Sequence, residues 1–158
     1  MSVKPIPENC NTVNAYLNMR DVQAAIDFYT AAFNANGNAC LKGPGDSIMH
    51  AEVVIGNSTV MLSEENPKWG TKSAETMGGS PVSLHMYVPD VDTSFQQAID
   101  AGCTVISPVA DTFWGDRAGR LADPFGYQWS MATHIEDISM EEIEKRGKAW
   151  LESFEPQA

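Results

Sequence analysis

The sequence predicts an α+β fold of two βαβββ modules forming a curved mixed-sheet cleft, with a separate helix at the C-terminus. Three observations predict it. The chain repeats itself at an offset of 69 residues, laying Met19 to Ile26 over Val88 to Phe95 and matching Asp21 with Asp90, Val22 with Val91 and Ala32 with Ala101. Each copy opens on a period-two run that gives way, at an Asp, to apolar residues at helical spacing. After the second copy, Ser139 and Glu142 form a capping box ahead of a further helical stripe. Two copies make a duplicated half-domain rather than a solenoid.

The first strands are Asn14 to Met19 and Ser83 to Val88. Alternation turns Ala15, Leu17 and Met19 to one side and Asn14, Tyr16 and Asn18 to the other; in the second copy Leu84, Met86 and Val88 oppose Ser83, His85 and Tyr87. Asp21 and Asp90 each cap the helix that follows, accepting from its first free amides. Val22, Ala25, Ile26, Tyr29, Ala32 and Phe33 recur at helical spacing, as do Val91, Phe95, Ala98 and Ile99, with Gly102 ending the second helix. Three further strands complete each copy, at 39–42, 48–55 and 59–64, then at 104–107, 117–122 and 127–132. Met140, Ile143, Gly147, Trp150, Leu151 and Phe154 mark the last helix, whose stripe packs on the body or on a second subunit. The whole chain, 1–158, reads as one domain: module one about 12–65, a linker 66–81, module two about 82–136 and the C-terminal helix about 139–154.

With 158 residues, 43% hydrophobic and 20% charged, the chain has the composition of an ordinary folded protein. No run reaches the ~18 apolar residues of a membrane span, and the polar, proline-bearing start lacks the core of a signal peptide, so a cytoplasmic location is expected. The net charge of −11 repels polyphosphate, which excludes nucleic acid as the expected partner, and reads either as solubility or as an acidic lining that favours a cationic ligand. Cys10, Cys40 and Cys103 are too far apart for a zinc set and read as reduced thiols. Walker-type, GxGxxG and GxSxG motifs are absent.

Two βαβββ modules, each beginning strand-Asp-helix, with Asp123-Pro-Phe-Gly126 before the last strand, resemble the vicinal oxygen chelate superfamily. That superfamily includes glyoxalase I, extradiol dioxygenases, fosfomycin-resistance enzymes and bleomycin-binding proteins. The segment Trp114 to Trp129 is similar to the glyoxalase/bleomycin resistance-like branch that also contains the PhnB-like proteins. Metal-using members hold a divalent ion with His or Glu on the first and last strand of each module. By this resemblance the four positions fall at Asn14, at Val60 or Leu62, at Ser83 and at Ser130. None is imidazole or carboxylate, so neither a metal nor any other cofactor is expected.

The resemblance implies a ligand-binding cleft between the modules, for which the candidates are Asn14, Tyr16, Leu62, Glu64, Trp69, Ser83, His85, Tyr87, Trp114 and Ser130. His85 is the candidate catalytic residue. Trp129 is assigned to the core, Trp69 and Trp114 to the cleft rim. His50 and Glu52 face either the cleft or solvent, and His134 reads as a solvated or capping element. Arg117 either clamps an anionic ligand or, as favoured, pairs with Asp116 or Asp123. The expected function is metal-free binding of a small cationic or aromatic molecule by a homodimer, as in drug sequestration and antibiotic resistance. The alternative is a glyoxalase-like lyase or dioxygenase-type enzyme, with a relocated metal at His85, Glu64 and His50 or Glu52, or with metal-free acid/base chemistry through His85.

Overall fold

A computed structural model describes residues 3–154. In chain order the first module holds β1 (Ala15–Met19), α1 (Val22–Phe33), β2 (Asn36–Lys42), β3 (Ile48–Ile55) and β4 (Ser58–Glu64). A 3-10 turn (Pro67–Trp69) and the short α2 (Ala74–Met77) follow. The second module holds β5 (Ser83–Tyr87), α3 (Val91–Ala101), β6 (Thr104–Asp111), β7 (Asp116–Ala122) and β8 (Gln128–His134), and α4 (Met140–Glu152) closes the described chain. Each module is a four-stranded mixed sheet, ordered β1-β4-β3-β2 and β5-β8-β7-β6, with its first strand parallel to its last and the other pairs antiparallel. The α+β class, the two βαβββ units and the C-terminal helix are as the sequence predicts.

Local chemistry sets the element ends. Asp21 Oδ1 accepts from the Ala24 amide at 2.9 Å, and Asp90 Oδ1 from the Thr93 amide at 3.1 Å. Each replaces a bond that the first turn of a helix lacks. Gly102 ends α3 at φ 120°, where a Cβ would be strained. Two strands run longer than their composition suggests. Asn36 and Gly37 join β2 through a register shift before Ala39. In β6, Pro108 is tolerated because this is an edge strand with an irregularity between Ser107 and Ala110.

The helices set the relation between the modules. Met19, Val22, Val53 and Leu62 are fully buried in the core under α1, each worth about 1.5–3 kcal/mol of apolar burial. That core continues without a break into Phe95, Leu121, Trp129 and Met131 of the second module. α1 packs along α3, where Gln97 donates to the Ala31 carbonyl at 2.7 Å. Phe33 lies 4.5 Å, centroid to centroid, from Trp129 of β8. Both sheets therefore turn their helix-bearing faces inward on one shared core. Their polar faces look away from it, and β1 and β5 each remain an edge strand.

Asp123 pins this junction. Its carboxylate is 5% exposed and accepts from Tyr29 Oη (2.8 Å), Trp129 Nε1 (3.0 Å) and the Phe125 and Tyr127 amides (2.9 Å each). Burial raises its pKa, and these four donors offset part of that cost. The Asp-Pro-Phe-Gly segment is thus a turn whose aspartate ties α1 of the first module to the last hairpin of the second. Arg117 departs from its expected pairing: it grips Asp92 of α3 at 2.7 and 2.8 Å and Asp111 of β6 at 2.8 Å, because β7 alternation turns it to the helix side, opposite Asp116.

Candidate functional site

The polar face of the first module carries a chain of side chains. Tyr16 projects from β1, and on the ladder its partner is Met61, which in turn pairs with Glu52 of β3. Tyr16 Oη is 3.2 Å from His50 Nδ1, the rings stack at 5.7 Å, and His50 Nε2 is 3.4 Å from Glu52 Oε1. Asn9 donates to the second Glu52 oxygen at 2.9 Å. His50 and Glu52, whose direction the sequence left open, are thus on the face with Tyr16. Asn18 accepts from Ser63 at 3.1 Å further along.

The second module builds its polar face around Asp116, 3% exposed. Its Oδ2 accepts from Tyr87 Oη at 2.9 Å and from Trp114 Nε1 at 3.0 Å, while its Oδ1 meets His134 Nδ1 at 2.8 Å. Burial pushes the Asp116 carboxyl up, but the bonds from His134, Tyr87 and Trp114 outweigh it, leaving the carboxyl below its ordinary range. His134 Nε2 also meets Asp137 at 3.0 Å. Hydrogen bonds to Asp116 and Asp137 raise the His134 pKa. Both ring nitrogens are engaged, so His134 orients its neighbours rather than acting as a free base. His85 lies edge-on to Tyr87 at 4.8 Å, beside Ser130 on the ladder. Among the described residues it has no carboxylate to orient its imidazole, as a general base of the triad kind would.

The predicted residues therefore divide among several places. Tyr16 is on the first polar face; Ser83, His85, Tyr87, Trp114 and Ser130 belong to the second. Asn14 bonds within its own turn, to Asn11, and lines with His85 and Tyr87 a groove of about 590 Å³ between the β5 edge and the end of the first module. Leu62 departs from its expected place: it is fully buried under α1, because it pairs with Leu17 on the helix side of the sheet. Glu64 shares that side and lines, with Trp69, a separate groove of about 510 Å³ at the end of β4. Trp129 is in the core, as its alternation predicts.

Asp116 and His134 are the site residues that sequence reasoning missed. They face each other across the β7–β8 ladder. Alternation from Ser130 through Ala132 reaches His134 once β8 is carried two residues further than the expected end at 132. His134 is correspondingly bonded on both nitrogens rather than merely solvated.

The four positions that metal-using members employ do not fit a divalent metal here. The last-strand residue beside Tyr16 on the polar face is Met61, and Asn14, Ser83 and Ser130 offer only amide and hydroxyl groups. Among the described residues no three His, Cys, Asp or Glu side chains converge as ligands. Glu64 and His85, proposed partners in a relocated centre, are on different modules and line different grooves.

Paired βαβββ modules with open polar faces define a class, and the sequence assigns this chain to it. Residues 11–131 match the family model of the glyoxalase/bleomycin resistance protein/dioxygenase superfamily, and the chain belongs to that superfamily. It is 41% identical over 135 residues to the uncharacterized protein Mb0911c of Mycobacterium bovis, covering 84% of this chain and 89% of that one. Among solved structures it resembles TioX from Micromonospora sp. ML1, at TM-score 0.62 and 24% identity, covering 79% and 99% of the two chains. It also resembles the PhnB protein from Bacillus cereus, at TM-score 0.59 and 16% identity, covering 78% and 99%. At these identities the two structures support the fold alone. No helix among the described residues is long and apolar enough to cross a membrane.

Proposed function

We propose that this protein binds a small cationic or aromatic molecule, without a metal, in clefts that two copies of the chain build together. One observation carries the reading: aromatic rings stand exposed on the polar faces, backed by buried or half-buried carboxylates. Tyr16 is 49% exposed, Tyr87 63% and Trp114 43%, while Glu52 and Asp116 lie behind them. Rings with anionic support suit a flat or cationic guest through stacking and cation–π attraction. The chain's net charge of −11 favours the same sign of ligand.

Each polar face is open by itself and turned away from the core that the two modules share. A homodimer that sets the first module of one copy beside the second module of the other, β1 edge toward β5 edge, encloses both faces. Sequestration of a drug-like cation is one use of such a cleft. The test is a panel of cationic aromatic compounds and glycopeptides, followed by tryptophan fluorescence and melting temperature. Saturable quenching with a raised melting temperature supports the reading; a panel that moves neither removes it.

A further inference from the structure

The groove at the end of β4 shares no lining residue with the side chains described on either polar face. Ile48 and Met49 of β3 line it together with Glu64, Glu65, Lys68 and Trp69. The volume of about 510 Å³ is within the range of small-molecule sites. Glu65 is already committed: it accepts from the Ser73 amide at 2.7 Å and from Thr76 at 2.9 Å, and lies 3.8 Å from Arg20. Glu64 and Lys68 are not. Neither side chain makes a hydrogen bond or ion pair with any described residue, although Glu64 is half-buried and both line one groove. They do not pair with each other.

Trp69 supplies the third element. Its ring is 66% exposed, and its indole N–H has no partner among the described residues. Such a ring normally finds cover, yet this one is held out on a tightly built turn. Asn66 Oδ1 caps the 3-10 turn by accepting from the Lys68 amide at 3.0 Å, and the Asn66 amide donates to Thr71 Oγ1 at 2.8 Å. Pro67 fixes the entry, and Gly70 takes the exit at φ 74°. The turn thus fixes the backbone from which Lys68 and Trp69 reach the groove that Glu64 also lines.

We propose that this groove is a second binding site, for a small zwitterion of the α-amino-acid class. Its ammonium goes to Glu64 and the face of Trp69, its carboxylate to Lys68 and the indole N–H, and its side chain to Ile48 and Met49. A simple cation meets Lys68 and a simple anion meets Glu64, so each is disfavoured where a molecule carrying both charges is accepted. The site is independent of the cleft proposed above.

Three probes test it: leucine, N-acetyl-leucine, which lacks the ammonium, and leucine methyl ester, which lacks the carboxylate. The readout is the Trp69 indole N–H resonance in heteronuclear NMR, assigned by its absence in Trp69→Phe. Leucine is expected to shift it saturably with a Kd of about 1 mM or tighter, and either derivative to weaken binding at least about tenfold, the equivalent of 1.4 kcal/mol. Glu64→Gln, whose melting temperature shows it folded, is expected to lose the response, and Trp114→Phe to keep it. No shift with leucine, or equal shifts with all three probes, overturns the proposal. So does a full response in Glu64→Gln.

Discussion

Tyr29→Phe removes one oxygen from the middle of the molecule and nothing else. That oxygen donates at 2.8 Å to Asp123, whose carboxylate is 5% exposed and holds both modules together. Burial, reinforced by the Asp123 charge, raises the Tyr29 pKa well above its ordinary value, so the hydroxyl remains a neutral donor across the accessible range. Four donors converge on Asp123, and with one removed a buried oxygen loses part of its compensation. A hydrogen bond to a charged group is worth about 1.5–3 kcal/mol, and that is the expected loss. For a chain of this size the loss lowers the melting temperature by about 3–12 °C. The packing of the ring on Phe33, Phe125 and Trp129 is retained, so no cavity contributes. Urea unfolding followed by circular dichroism measures the difference, with an unchanged m-value showing that the native and unfolded states are otherwise alike. A loss below about 0.5 kcal/mol, the size of an ordinary surface substitution, refutes the argument that Asp123 anchors the inter-module junction.

Further outcomes follow from the second polar face. Asp116→Ala strips Tyr87, Trp114 and His134 of their common acceptor; it is expected to cost about 1–3 kcal/mol and to weaken binding of any ligand stacked on those rings, measured by urea unfolding and fluorescence titration. The pH dependence of stability has a defined shape. The lowered Asp116 pKa gives stability that is present above its ordinary value of 3.8 and lost as pH falls through the folded value; the raised His134 pKa gives stability that is present below 6.5 and lost as pH rises through its folded value. This contribution is therefore greatest between pH 3.8 and 6.5, and His134→Gln is expected to flatten the alkaline limb in melts recorded across pH. Incubation with equimolar Mn, Fe(II), Co, Ni and Zn, then desalting and mass spectrometry, is expected to leave no stoichiometric metal; retention abolished by His85→Ala or Glu64→Ala contradicts the donor-set argument.

Much of the fold was legible because it rests on local rules. The Asp caps and the period-two runs act within a few residues, and each survives in the structure as a hydrogen bond or a ladder. The site was less legible for two physical reasons. Side-chain direction depends on register, and a single-residue slip moved Leu62 from expected cleft to core while leaving Met61 beside Tyr16. The relation of the modules depends on long-range packing, the burial of Phe33 on Trp129 and of Tyr29 on Asp123, which no periodicity in either module encodes. The same packing separates Glu64 and Trp69 from His85 and Tyr87, which the sequence had placed in one cleft.

The most direct test of the shared cleft is complementation between two defective chains. Tyr16→Ala damages the first polar face and Tyr87→Ala the second, so neither variant alone is expected to bind a ligand that quenches the wild-type protein. When the two are unfolded together and refolded, each mixed dimer contains one cleft in which intact Tyr16 comes from one chain and intact Tyr87 from the other. The account predicts that titration of the mixture recovers wild-type affinity at a fraction of the sites. A mixture as inert as its parents, with wild-type protein binding normally and mixed dimers demonstrated by mass, contradicts it.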